Sequence, residues 1–195
     1  MKEMNRTIRT IASLGLLGLL ASVSASIGSA QQLEHREAGA HVHGAVDIAI
    51  VKTDSNVSVE FRSPLFNVRG FEHPPTTADQ TQASAAAMSA LKDPQNIVLL
   101  TGAAACRATS SAKIELAADH DDDAHESQPG LEHHGHEDLT ATYSFSCAAP
   151  NQLRDVDITA LKTFPRIETA NVIYLDEHKQ SSGKIKPGSS VFHIR

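Results

Sequence analysis

The sequence predicts an α+β protein, mainly antiparallel β-sheet with one or two helices and a histidine-rich disordered loop. Three observations carry that reading. Short runs rich in Val and Ile alternate with polar residues, the mark of half-buried strands. One alanine-rich segment opens with capping-box spacing and closes on a proline, which marks a helix. Residues 119–138, DHDDDAHESQPGLEHHGHED, hold five of the eleven histidines and almost nothing apolar, so they cannot build a core and read as a solvated loop.

The chain opens with a segment outside the fold. Lys2, Arg6 and Arg9 give a basic start, residues 11–21 an apolar run, and residues 23–25 or 28–30 small side chains for cleavage. Residues 1–30 therefore read as a secretory signal peptide, the run being too short to span a bilayer. No cysteine follows the cleavage region, so a lipid anchor is not expected. Residues 31–195 are then a mature α+β domain, with two β-rich halves as the alternative, and no membrane insertion once the signal is removed.

Residues 31–39, polar and containing His35, read as a mobile arm. Residues 41–51, HVHGAVDIAIV, and 57–62, VSVEFR, alternate on either side of a polar turn and predict a β-hairpin. Residues two apart in a strand share a face, so His41 and His43 are expected to present both imidazoles together. Residues 63–75, SPLFNVRGFEHPP, have prolines at both ends and Gly70 inside; they read as an irregular connection that sets His73 beside Glu72. Thr77 and Gln80 then open the helix, Ala83, Ala87 and Leu91 share one face, and Pro94 ends it. Strands are expected at 96–100, 113–116, 139–147, 170–175 and 191–195, while 156–164 fits helix or strand.

Composition excludes several functions. A net charge of −6 disfavours nucleic acid and anionic membrane surfaces as partners. With no Trp and 4% aromatics, a stacking groove for sugars or bases is not expected. The only two cysteines, Cys106 and Cys147, stand on either side of the histidine-rich stretch. In an exported chain they read as a disulfide in preference to metal ligands. That bond would close a loop of about 40 residues, worth roughly 4 kcal/mol in the chain-entropy model, and staple the loop at its base.

Imidazole and carboxylate together are zinc-type ligands. The candidate ligands are His41, His43 and His73 in the folded body and His120, His125, His133, His134 and His136 in the loop. Enzyme devices are missing: there is no H-E-x-x-H and no G-x-S-x-G, and the roughly 165 residues left after the leader cannot make a full βα barrel. The segment AHVHG is similar to the copper-binding strand of secreted copper, zinc superoxide dismutases, but the closely spaced histidines and aspartate of that family do not follow. Flexible ligands store a metal, whereas catalysis needs a rigid site with an open position. The expected role is accordingly not enzymatic; the alternative is a secreted metal-dependent enzyme or a copper- or nickel-sequestering protein.

The succession HVHGAVDIAIV, SPLFNVRGFEH with its following prolines, a single cysteine, a histidine-rich insertion, Y-x-F-x-C at 143–147 and a late Phe164-Pro165 resembles the periplasmic zinc-regulated zinc uptake proteins of the ZrgA type. The resemblance runs over nearly all of the mature chain. It implies a protein of the periplasm that binds Zn(II) and assists its delivery to an ABC-type zinc importer, whose components would be its partners. It does not say which imidazoles bind. His41, His43 and His73 rest on motif position and on the strand argument.

Overall fold

A computed structural model of the chain describes residues 42–100, 102–118 and 137–195. The expected signal peptide, the arm, His41 and the five loop histidines lie outside the described residues. Those that are described all fall within one unit, Ala38–Arg195.

Among the described residues ten strands and three helices follow in order: β1 Ala45–Thr53, β2 Asn56–Pro64, α1 Leu65–Arg69, α2 Ala78–Leu91, β3 Leu99–Leu100, β4 Cys106–Ala108, β5 Lys113–Ala118, β6 Glu137–Cys147, β7 Asp155–Asp157, α3 Ala160–Thr163, β8 Thr169–Leu175, β9 Gln180–Ile185 and β10 Val191–His193. The larger sheet runs β4-β6-β2-β1-β8-β9, with β5 on the same edge of β6 as β4. Its pairings are antiparallel except β1 with β8, which is parallel. The smaller sheet is β10-β7-β3. The α+β, mainly antiparallel class expected from the alternating runs is the class observed.

Alternation explains why these segments are strands. Val46, Ile48 and Ile50 of β1, Val57, Val59 and Phe61 of β2, Leu139, Ala141, Tyr143 and Phe145 of β6, and Ala170, Val172 and Tyr174 of β8 all point into one core. The register puts Ile50 beside Val59 and Tyr174, and Val59 beside Tyr143, so the apolar stripe is continuous across four strands. Helix α2 lies over it and buries only Ala87 and Leu91. Its N-cap is Thr77, whose hydroxyl accepts the Gln80 N–H at 3.2 Å, the half of a capping box that holds the first turn. Its other end is fixed by Tyr143, whose buried hydroxyl donates to the Leu91 carbonyl at 2.8 Å. Burial, and then the charge of Asp93, raise that hydroxyl's pKa well above the ordinary tyrosine value, so it stays a donor.

Several elements differ from expectation. Residues 63–75 are not an irregular connection throughout: β2 continues to Pro64 and passes directly into α1. Of residues 96–100 only Leu99–Leu100 pairs, after a 3₁₀ turn at Pro94–Asn96 started by Asp93, whose carboxylate accepts the Gln95 N–H. Residues 156–164 are both things in turn, strand β7 and then α3. Strand β9, with no apolar alternation to advertise it, was not expected. The first strand begins at Ala45, because Gly44 turns the chain with φ +85° and Ala45 N–H bonds back to the Val42 carbonyl. His43 therefore sits in a turn ahead of the sheet and not on its face.

Cys106 and Cys147 are bonded and are register partners of β4 and β6. The bond is not at the base of the histidine-rich segment. Ala118 of β5 pairs with Glu137 of β6, so residues 119–136 leave and rejoin the sheet at adjacent positions. Glu137 and Asp138, placed in the loop on composition, are the first two residues of β6. The bonded cysteine closes the other end of this eleven-residue strand, about 30 Å away at ~3.3 Å per residue.

Candidate metal centre

One end of the larger sheet gathers the start of β1, the end of β2, the start of β6 and the start of β8. Helix α1 stands at this end, and its five residues, LFNVR, organise the surrounding side chains. Phe66 stacks on the His43 imidazole, ring centroids 4.3 Å apart and planes 16° from parallel. Asn67, wholly buried, accepts the Gly44 N–H at 2.7 Å and donates to the Ala45 carbonyl at 2.9 Å. The Gly44 carbonyl in turn accepts the N–H groups of Glu168 and Thr169 at 2.7 and 2.9 Å. His43 is thus held by its ring and by the backbone on its C-terminal side.

The helix ends on Gly70, whose N–H bonds to the Phe66 carbonyl and whose φ of +91° reverses the chain. Glycine is needed there for conformation; a side chain at 70 would also meet the Arg166 guanidinium at 2.8 Å, but that is the exposed end of a flexible chain that can swing aside. The reversal brings Glu72 back to His43: Nε2 and Oε1 are 2.8 Å apart across 29 residues of sequence. Glu72 keeps 15% of its side chain exposed and His43 47%, so the pair opens to solvent from the imidazole side.

His73 is placed differently. Its Nδ1 lies 2.8 Å from the Pro74 carbonyl, which can only accept, so Nδ1 is the donor, and the lone pair of a neutral ring stands on Nε2. The ring packs at a tilt against Phe71, centroids 5.3 Å apart. A carbonyl on one ring nitrogen that leaves the other basic is the arrangement usual behind a histidine ligand. Among the described residues no three His, Cys, Asp or Glu side chains converge on one point where a metal ion would sit. The structure brings His43 to Glu72, leaves His73 next along the same turn, and has His178 and His193 on other elements: His178 N–H bonds to Asp176, and the His193 ring meets Asp155 at 2.6 Å.

Glu72 is the functional candidate that the histidine count missed; its signal was its place inside the GFEH turn. Arg69 was missed as well. It donates to the carbonyls of Phe71, Glu72 and His73 and to Glu137 at the foot of residues 119–136.

Fold and site together define a mainly antiparallel α+β protein with an imidazole–carboxylate pair at one end of its sheet, a donor set suited to a borderline divalent cation. The model of the ZrgA family zinc uptake proteins matches residues 40–194. The chain belongs to that family, and its role is tied to zinc. No curated protein matches it.

Proposed function

We propose that the protein captures Zn(II) in the periplasm and assists its delivery to an ABC-type importer, without catalysing a reaction. In this reading His43 and Glu72 are the fixed ligands, His73 and His41 join them, and the histidines of residues 119–136 enlarge the capture radius. The observation that carries it is the 2.8 Å contact of His43 Nε2 with Glu72 Oε1, in a family of zinc uptake proteins. Zinc bonds nitrogen and oxygen at about 2.0–2.2 Å, and two tetrahedral ligands then stand about 3.3 Å apart. The pair has to open by only about half an ångström, and Nε2 has to offer its lone pair, the proton of the neutral ring standing on Nδ1.

Metal content of untagged full-length chain, recovered from the compartment to which it is exported, tests the reading. Zinc at one equivalent or more is expected in the native protein. His43→Ala combined with Glu72→Ala should weaken the tightest site by ten-fold or more. Unchanged affinity in that double variant would remove the pair from the function.

A further inference from the structure

Arg69 keeps 6% of its side chain exposed, which is unusual for a cation beside a site meant for another cation. Its donors explain the burial. Nε donates to the Phe71 carbonyl at 2.9 Å, and Nη2 to the carbonyls of Glu72 at 2.8 Å and His73 at 3.2 Å. The same Nη2 meets Glu137 Oε2 at 2.9 Å, and the guanidinium carbon lies 4.7 Å from the centre of the Phe71 ring. Three successive carbonyls converge on one planar fork, which curls the backbone that carries Glu72 and His73. A lysine ammonium is a single point and does not reproduce a grip that uses two nitrogens of the fork.

We propose that Arg69 is a positioning residue for cation capture. It holds the Phe71–Glu72–His73 turn so that Glu72 reaches His43, while Glu137 neutralises the guanidinium so that it does not repel the incoming ion. The inference rests on the His43–Glu72 reading above. It separates two roles of one side chain. Shape resides in the three carbonyl bonds, and charge compensation resides in the Glu137 bridge. Arg69→Lys keeps the charge and loses the shape; Glu137→Gln keeps the shape and leaves the charge exposed to the ion.

The test is a zinc titration of the full chain in which the ring nitrogens of His43 and His73 are followed by residue-assigned long-range ¹H–¹⁵N spectra, with His178 and His193 as internal references. In the unaltered chain His43 should respond first. In Arg69→Lys its response should need at least ten-fold more zinc, and His73 should lose its fixed Nδ1–H signature before any zinc is added. In Glu137→Gln the response should shift about three-fold, and added salt should reverse that shift by screening. An Arg69→Lys chain that titrates at His43 like the unaltered one overturns the inference. A shift equal at His178 and His193 also overturns it, because the effect is then global stability. Should Arg69→Lys not fold, Glu137→Gln decides alone, and a response unchanged at low salt overturns it. A His43 silent to zinc in the unaltered chain instead overturns the underlying reading.

Discussion

Asn67 shows how a residue with no metal chemistry of its own fixes the turn that carries His43. Its amide fills a fully buried position and satisfies the Gly44 N–H, the Ala45 carbonyl and the Ser63 hydroxyl, the last at 3.2 Å. Asn67→Ala removes the partner of the buried Gly44 N–H and a bond to the half-buried Ala45 carbonyl, at about 1–3 kcal/mol for a buried group left unsatisfied. A loss of about 2–4 kcal/mol in urea unfolding is expected; a loss below about 1 kcal/mol would mean that water takes the place of the amide. The sequence pointed to histidines because imidazole is chemically conspicuous, and His43 and His73 do lie on the turns around this site. Glu72 was not legible as the partner of His43. Nothing in local spacing says that residues 29 apart meet, since that depends on Gly70 and on the short helix before it.

At the scale of elements, β1, β2, β6 and β8 were readable because buried apolar residues recur at every second position, even though Val51, Ile173 and Leu175 put apolar side chains on the outward faces of β1 and β8. Helix α1 was hidden because five residues are too few for a 3.6-residue period to repeat, and its flanking prolines imitate a loop. Strand β9, QSSGKI, is an edge strand held by backbone pairing to β8 and by the turn between them. That turn is built on Asp176. Its Oδ1 accepts the N–H groups of His178 and Lys179, both at 2.8 Å, and its Oδ2 accepts the Tyr174 hydroxyl at 2.7 Å with Lys52 nearby at 3.6 Å. Burial alone would raise this carboxyl, but the hydrogen bonds and the Lys52 charge outweigh it and bring the pKa down from 3.8 to about 2. A carboxyl depressed on folding stabilises the fold above its unfolded pKa, and that contribution disappears as pH falls through the folded value. Asp176→Asn should therefore cost about 1–2 kcal/mol at neutral pH. The gap from the unaltered chain should stay constant down to about pH 4 and close towards pH 2. Thermal melts of both chains across that range check it; a gap that does not close with acid would assign the loss to the turn's shape and not to its charge.

Over the whole molecule, the disulfide closes one end of β6 while the chain enters β6 from residues 119–136 at the other, which on the proposed reading separates stability from capture. Composition placed the two cysteines around the histidines and so read them as one device; only the register shows the ladder of β5 on β6 between them. Replacing Cys106 and Cys147 by Ala together should lower stability by up to about 4 kcal/mol, for a sequence separation of 41, through the entropy returned to the unfolded chain. The zinc response of His43 in the folded variant should not change. Excision has the reverse pattern. Joining Ala118 to Glu137 through an Asn-Gly turn removes residues 119–136 while keeping the Ala118–Glu137 register, because those two residues already face each other. Stability should then change by less than about 1 kcal/mol, since the length of a connection weighs only logarithmically in closure entropy. The number of zinc ions bound should fall, with the tightest one retained. An excision drawn instead at 119–138 takes Glu137 from Arg69 and Asp138 from its pairing with Pro64. That chain should be less stable and should bind its tightest zinc more weakly than the first. Calorimetric zinc titrations and urea unfolding of the three variants read all of this, and equal zinc affinity in the two excisions would place the foot of β6 outside the site.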